Sequence, residues 1–130
     1  ISSFINQALN QEELTVNGDG NQTRSNQTRS FQYIDDLIDG MIKMMKTENN
    51  FIGPVNIGNP NEISINKLAL EVLKLTQSNS KIIYTDLPQD DPKRRKPDIS
   101  LAIKKLNWRP KYDLDKGLLN TINYFKNQLK

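Results

Sequence analysis

The sequence contains no cysteine and no histidine. Without cysteine there are no disulfides, thiolate metal sites or cysteine nucleophiles. Without histidine, His–metal clusters and Ser–His catalytic pairs are excluded as well. A carboxylate-only Mg²⁺ or Ca²⁺ site is the one metal chemistry left, and no motif supports it, so no metal is expected. No apolar run approaches the roughly 18 residues that a membrane-spanning helix needs. No signal-peptide pattern precedes the first amphipathic segment, and the default expectation is a cytoplasmic protein. Glycine-rich phosphate cradles are missing too: neither G-x-G-x-x-G nor a P-loop occurs. Neither Tyr84, followed by Asp86 and Leu87, nor Tyr124, followed by Lys126 and Asn127, supplies a helical Tyr–Lys pair with a nearby Ser or Thr. No catalytic residue and no cofactor-binding residue is therefore assigned to this chain.

What is present is modest. The 130 residues suit one domain or one lobe of a larger protein. Hydrophobic residues make up 35% and charged ones 25%, which allows a small core and gives no reason to expect disorder. A net charge of +3 is mildly basic, short of the imbalance of a dedicated nucleic-acid binder and compatible with a small anionic ligand. The chain opens on Ile1 without an initiator Met, which reads as an excised fragment or a processed product.

The hydrophobic pattern predicts an α/β chain of short strands and about five helices. Phe4, Ile5, Ala8 and Leu9 mark a helix over residues 2–10. Leu14–Val16 is a short strand running into the Asn17-Gly18-Asp19-Gly20 turn signal. Next comes a tandem repeat, Asn21-Gln22-Thr23-Arg24-Ser25 followed by Asn26-Gln27-Thr28-Arg29-Ser30. Five residues is too short a period for a solenoid, so the second copy enlarges a surface loop over 21–30 at small entropic cost.

Phe31–Ile34 alternates as a strand, and Asp35 is placed to cap a helix from Asp36 to Lys46 with Leu37, Ile38, Met41, Ile42 and Met45 inward. Val55–Gly58 is read as another strand, and Ser64 precedes a helix over Ile65–Thr76. Lys81–Thr85 is a strand and 86–97 a proline-punctuated loop. A short helix is expected from Asp98 to about Leu106. Asp113 caps a final helix over Leu114–Leu129, with Leu118, Ile122 and Phe125 inward. Strands this short make only a small sheet, which favours a lobe that leans on another domain. Trp108 reads as a packing plug.

Two segments have the chemistry to hold an anion. The loop Asp90–Asp98 carries Lys93-Arg94-Arg95-Lys96 between Pro92 and Pro97. Arginine presents a planar fork that matches two phosphate oxygens, lysine adds a point charge, and the prolines restrain the backbone. Asp98 stands at a helix start, where free N–H groups attract anions. The second segment is the glycine turn with Arg24, Gln27, Thr28 and Arg29. On the residues alone, a solvated charge run and an ordinary hairpin loop are the simpler readings of these two stretches.

Taken together, "LTVNGDGNQTRS", "RSFQYIDDLIDGMIKMM", "GPVNIGNPNEISINKLALEVLKLT" and "LPQDDPKRRKPDISLAIKKLNWRPKYDLDKGL" resemble, in order and over nearly the whole chain, the C-terminal part of the UDP-glucuronate decarboxylases (UDP-xylose synthases). These lie within the NAD-dependent epimerase/dehydratase family of extended short-chain dehydrogenases. The resemblance implies a C-terminal nucleotide-sugar-binding lobe over residues 1–130, separated from an N-terminal Rossmann domain that holds NAD and the Tyr/Lys catalytic group. It implies a lyase that oxidises the sugar at C4, loses CO₂ from the 4-keto acid and returns the hydride, with this lobe supplying binding and orientation. The isolated chain is then expected to be inactive and to bind no NAD.

By motif position, Arg95 matches an arginine on the diphosphate, with Arg94 beside it, and Asp98 matches an acidic partner. The arginine of "QTRSF", which the repeat assigns to Arg29 or to Arg24, matches one that contacts the substrate and has an implied role toward the sugar carboxylate. Asn17 departs from the family, which usually has an aromatic residue there. Three alternatives compete with this reading. One is the lobe of a related epimerase or 4,6-dehydratase. Another is an anion- or RNA-binding module using Lys93–Lys96, disfavoured because no aromatic residue interrupts Leu87–Lys105. The third is an assembly fragment that self-associates through the enlarged loop.

Overall fold

The computed structural model describes residues 1–18, 28–48, 50–86 and 94–130, with Arg94 and Arg95 described for backbone alone. In chain order the elements are α1 (Ser2–Leu9), β1 (Leu14–Asn17), β2 (Thr28–Ser30), α2 (Ile34–Met45), β3 (Glu62–Ser64), α3 (Ile65–Thr76), β4 (Ile82–Thr85), β5 (Arg94–Arg95), α4 (Ser100–Leu106) and α5 (Leu114–Gln128). The described chain is α/β with five helices and short strands, as expected.

Two small sheets organise it. β1 and β4 pair in parallel, from Leu14 against Ile82 to Asn17 against Thr85. The second sheet has the order β3-β2-β5. β2 is antiparallel to β3 and parallel to β5.

The larger core forms where α1, α3 and α5 meet β1. Their apolar positions recur at helical and strand spacing, so one face of each reaches the same interior. Phe4, Ile5, Ala8, Leu14, Val16, Leu68, Ala69, Val72, Leu118 and Ile122 are buried there. Side-chain oxygens start two of these helices: Ser64 Oγ accepts the Lys67 amide at 3.2 Å and Asp113 Oδ1 the Lys116 amide at 2.8 Å. A second cluster joins Ile99, Ala102, Leu106 and Trp108 to the partly buried Met44, Phe51, Val55, Ile57 and Ile103. Trp108 is fully buried, and its Nε1 donates to the Asp36 carbonyl at 3.0 Å, so it is the plug its position suggested.

Several boundaries differ from expectation. The strand predicted at 31–34 lies upstream, at Thr28–Ser30, because its partners there are Glu62–Ser64. Val55–Gly58 forms no strand; Val55 and Ile57 instead pack against Ile99, Ala102, Leu106 and Trp108. A Cβ on Gly40 would lie 2.7 Å from Ile57 Cγ2, and one on Gly58 would lie 2.8 Å from Pro97 Cγ, so both glycines permit close approach. Asp35 does not cap α2, which starts from Tyr33 without a side-chain cap. Asp36, 2% exposed, accepts the Lys111 and Tyr112 amides at 2.9 and 3.0 Å and ties the 108–112 loop to the helix.

The face of α2 expected to point inward is largely outside. Ile34, Ile38, Met41, Ile42 and Met45 are exposed, the last at 84%. The buried positions of the helix are Asp36 and Gly40. Amphipathicity located the stripe, and nothing in the described residues covers it.

Candidate functional site

Strand pairing brings the two arginine segments together. The loop read over 86–97 contains β5, whose Arg94 and Arg95 lie in register with Thr28 and Arg29 of β2. Neighbouring strands run ~4.8 Å apart, so Arg29 and Arg95, distant in sequence, occupy adjacent backbone positions. β2 is the central strand, held on its other side by β3, with Arg29 opposite Ile63 and Ser30 opposite Glu62. The Thr28 hydroxyl donates to Glu62 Oε1 at 2.9 Å. Arg29 is half-buried, and its guanidinium Nη1 donates to the Thr28 carbonyl at 2.9 Å. Thr28, Arg29 and Ser30 of the second repeat copy are thus built into the sheet. Arg24 and Gln27 lie outside the described residues.

Asp98 follows β5 and sets up α4. Its Oδ1 accepts from the Ser100 amide at 2.9 Å and from the Ser100 hydroxyl at 2.5 Å. These bonds, the hydroxyl first and the amide second, hold the Asp98 carboxyl below its ordinary pKa. The Ser100 amide is therefore already taken by Asp98. The Asp98 carbonyl accepts Asn56 Nδ2 at 3.2 Å, which braces the exit of β5 against the 55–58 segment. A cavity of about 320 Å³ beside this exit is lined by Pro60, Lys96, Pro97, Asp98, Ile99, Ser100 and Ile103. At the far end of the other sheet, the Thr85 hydroxyl donates to Asn17 Oδ1 at 3.0 Å, and Gly18 takes φ 135° to leave β1.

Sequence reasoning passed over Tyr112-Asp113-Leu114-Asp115-Lys116, which has the Tyr-x-x-x-Lys spacing. The structure engages both side chains in packing contacts. Lys116 Nζ lies 4.9 Å from the Tyr112 ring centroid, over the face of the ring. The Tyr112 hydroxyl reaches Asp35 Oδ2 at 3.4 Å. Desolvation and then the Asp35 charge push the phenol above its ordinary pKa, opposite to what a tyrosine base needs. Tyr33 packs against the same ring at 4.5 Å. The cluster locks the start of α2 to the start of α5. Among the described residues, no group of three metal-ligating side chains comes together.

Residues 1–121 match the family model described as GDP-mannose 4,6 dehydratase. The chain belongs to that family. Among its relatives, UDP-glucuronic acid decarboxylase 1 of Xenopus tropicalis is 45% identical over 130 residues, all of this chain and 29% of that protein. The chain thus spans under a third of the curated relatives it matches. Of solved family structures, the UDP-glucuronic acid 4-epimerase of Bacillus cereus in complex with UDP-glucuronic acid and NAD superposes with a TM-score of 0.86 at 33% identity. That match covers 98% of this chain and 39% of the epimerase. The UDP-glucose 4-epimerase of Thermotoga maritima with UDP-glucose gives a TM-score of 0.87 at 28% identity, with the same coverage on both sides. The resemblance to UDP-glucuronate decarboxylases read from the sequence is therefore shown at the level of relatives and family.

Proposed function

We propose that this chain is the C-terminal, UDP-sugar-binding lobe of a UDP-glucuronate decarboxylase, and that Arg29 and Arg95 together grip the substrate's diphosphate. The observation that carries the reading is the parallel pairing of β2 with β5, which puts the two arginines at one register position. Two guanidinium forks on adjacent strands match the oxygens of a pyrophosphate, and a central strand gives them a rigid base. Thr28 and Arg94 occupy the next register pair, which alternation turns to the other face of the strands, where they back the clamp. Gln27 and Arg24 stand upstream of it in the chain. Asp98 acts by fixing the exit of β5.

The names of the relatives support decarboxylation as the reaction of the whole protein; the route through a 4-keto sugar that loses CO₂ is the one the sequence resemblance implies. An epimerase acting on UDP-glucuronate is the second reading, favoured by the B. cereus structure, which binds that same acid. NAD does not fit the described residues: no described strand passes through a glycine-rich turn into a helix, the arrangement a dinucleotide pyrophosphate needs. The cofactor and the catalytic tyrosine then belong to the Rossmann portion that the chain does not span. The exposed α2 stripe of Ile34, Ile38, Met41, Ile42 and Met45 is the natural seat for that portion, since apolar side chains in such a row are costly to leave in water.

UDP titrated by calorimetry into the full-length protein and its Arg95→Ala variant tests the proposal. Loss of most of the UDP affinity is expected. Equal affinity in both proteins would overturn the assignment. Binding that follows any polyanion and falls steeply with salt would instead identify the basic loop as an RNA- or anion-binding module.

A further inference from the structure

The diphosphate clamp needs more than two arginines: it needs β2 held in register between its neighbours. The strand is only three residues long, Thr28–Ser30, and β5 offers two, so few ladder bonds fix the alignment. Short pairings are the ones that slip, and a slip of one residue moves every side chain to the other face. The side chains of Thr28 and Glu62 bond across this junction. Thr28 is paired with Ser64, so Glu62 stands diagonally opposite it, two residues along β3. Diagonal neighbours come within reach of long side chains, and the Thr28 hydroxyl donates to Glu62 Oε1 at 2.9 Å. The contact is part-buried and has an ionisable acceptor, so it is of the stronger kind. Alternation along the strand sets Arg29 on the opposite face from Thr28, so the Thr28–Glu62 bond acts on Arg29 through the backbone.

The geometry points to Glu62 as a positioning residue of the substrate site: by holding Thr28 across the β2–β3 pair, it keeps β2 in the register that sets Arg29 beside Arg95. This rests on the clamp reading above. Glu62 is not expected to touch the reacting sugar, and its effect falls on ligand affinity.

Calorimetry with UDP on the full-length protein tests it. Glu62→Ala is expected to weaken UDP about tenfold, the equivalent of one lost charge-assisted hydrogen bond. Glu62→Gln keeps an oxygen that accepts from Thr28, and it is expected to retain affinity within about twofold. Thr28→Val is expected to weaken UDP as well, and the double variant to lose less than the two single losses added together, because both substitutions remove the Thr28–Glu62 bond. In turnover assays Glu62→Ala raises KM and leaves kcat near its original value. Full additivity of the two substitutions, or unchanged UDP binding in Glu62→Ala while Arg95→Ala loses it, would overturn the positioning role and leave the clamp standing. Unchanged binding in Arg95→Ala as well would overturn both. If Glu62→Ala fails to fold, Glu62→Gln and Thr28→Val still decide the matter: equal loss in both, or loss in neither, contradicts the inference.

Discussion

Replacing Asp36 by alanine removes a carboxylate that is almost wholly buried and accepts two backbone amides, those of Lys111 and Tyr112. Each hydrogen bond to a charged group contributes roughly 1.5–3 kcal/mol, and the lower end applies because the two amides are only part-buried. The expected loss is about 3 kcal/mol, which for a chain of this size lowers the melting midpoint by on the order of 10 °C. The bond from Trp108 Nε1 goes to the Asp36 main-chain carbonyl and survives the substitution. The indole therefore keeps one partner while the 109–112 loop loses its anchor. The assay is built into the molecule, because the one tryptophan, Trp108, is fully buried and its fluorescence follows unfolding in urea. Asp36→Asn keeps one acceptor oxygen but turns an amide donor toward the second N–H, so about 2 kcal/mol is expected. A change below about 0.5 kcal/mol for Asp36→Ala, with an unaltered denaturant slope, would refute the claim that this carboxylate ties the loop to α2.

Three further outcomes follow from packing and charge. Gly40→Ala is expected to destabilise by about 1–2 kcal/mol, because its Cβ meets Ile57 at 2.7 Å and overpacking outweighs the helix-propensity gain. Gly117→Ala, whose Cβ meets only the Tyr33 ring edge at 3.3 Å, should be near neutral in the same urea melts; equal losses at both sites would refute the distinction. In a carbon-13 titration, the Asp98 carboxyl should ionise below the ordinary aspartate range and move up in Ser100→Ala. Because this pKa is lowered on folding, the Asp98–Ser100 brace is present at neutral pH and is lost as pH falls through the lowered midpoint. An identical midpoint in the two proteins would contradict that cause. Finally, Ile38→Glu with Met45→Glu should reduce self-association of the isolated chain in light scattering, and no change would show that the α2 stripe is not its sticky face.

The helices were legible because their signals are local. Ser64 and Asp113 cap the helices they precede, and Phe4, Ile5, Leu68, Leu118 and Ile122 repeat at helical spacing and are buried. The strands of the second sheet were not. β5 is two residues long inside a charged, proline-flanked stretch and exists through pairing with β2, so no local preference announces it. Asp35 misled for a related reason. An acidic residue before a helix has the capping pattern, yet α2 starts without a side-chain cap, and the carboxylate that anchors it is that of Asp36, whose partners are 75 and 76 residues away in the chain. The α2 stripe was read correctly as apolar and wrongly as inward, because periodicity reports that a face is to be covered and not by what. Both arginine segments were legible from charge type and motif. Their adjacency depended on long-range strand pairing, which only the fold supplies.

The central claim is that Arg29 and Arg95 act on one pyrophosphate from neighbouring strands. A double-mutant cycle of UDP affinity over the parent protein, Arg29→Ala, Arg95→Ala and the double variant measures it directly. Each single substitution is expected to cost tenfold or more, with a coupling between them of at least about 1 kcal/mol. Losses that simply add, or affinity that ignores both substitutions, would contradict it.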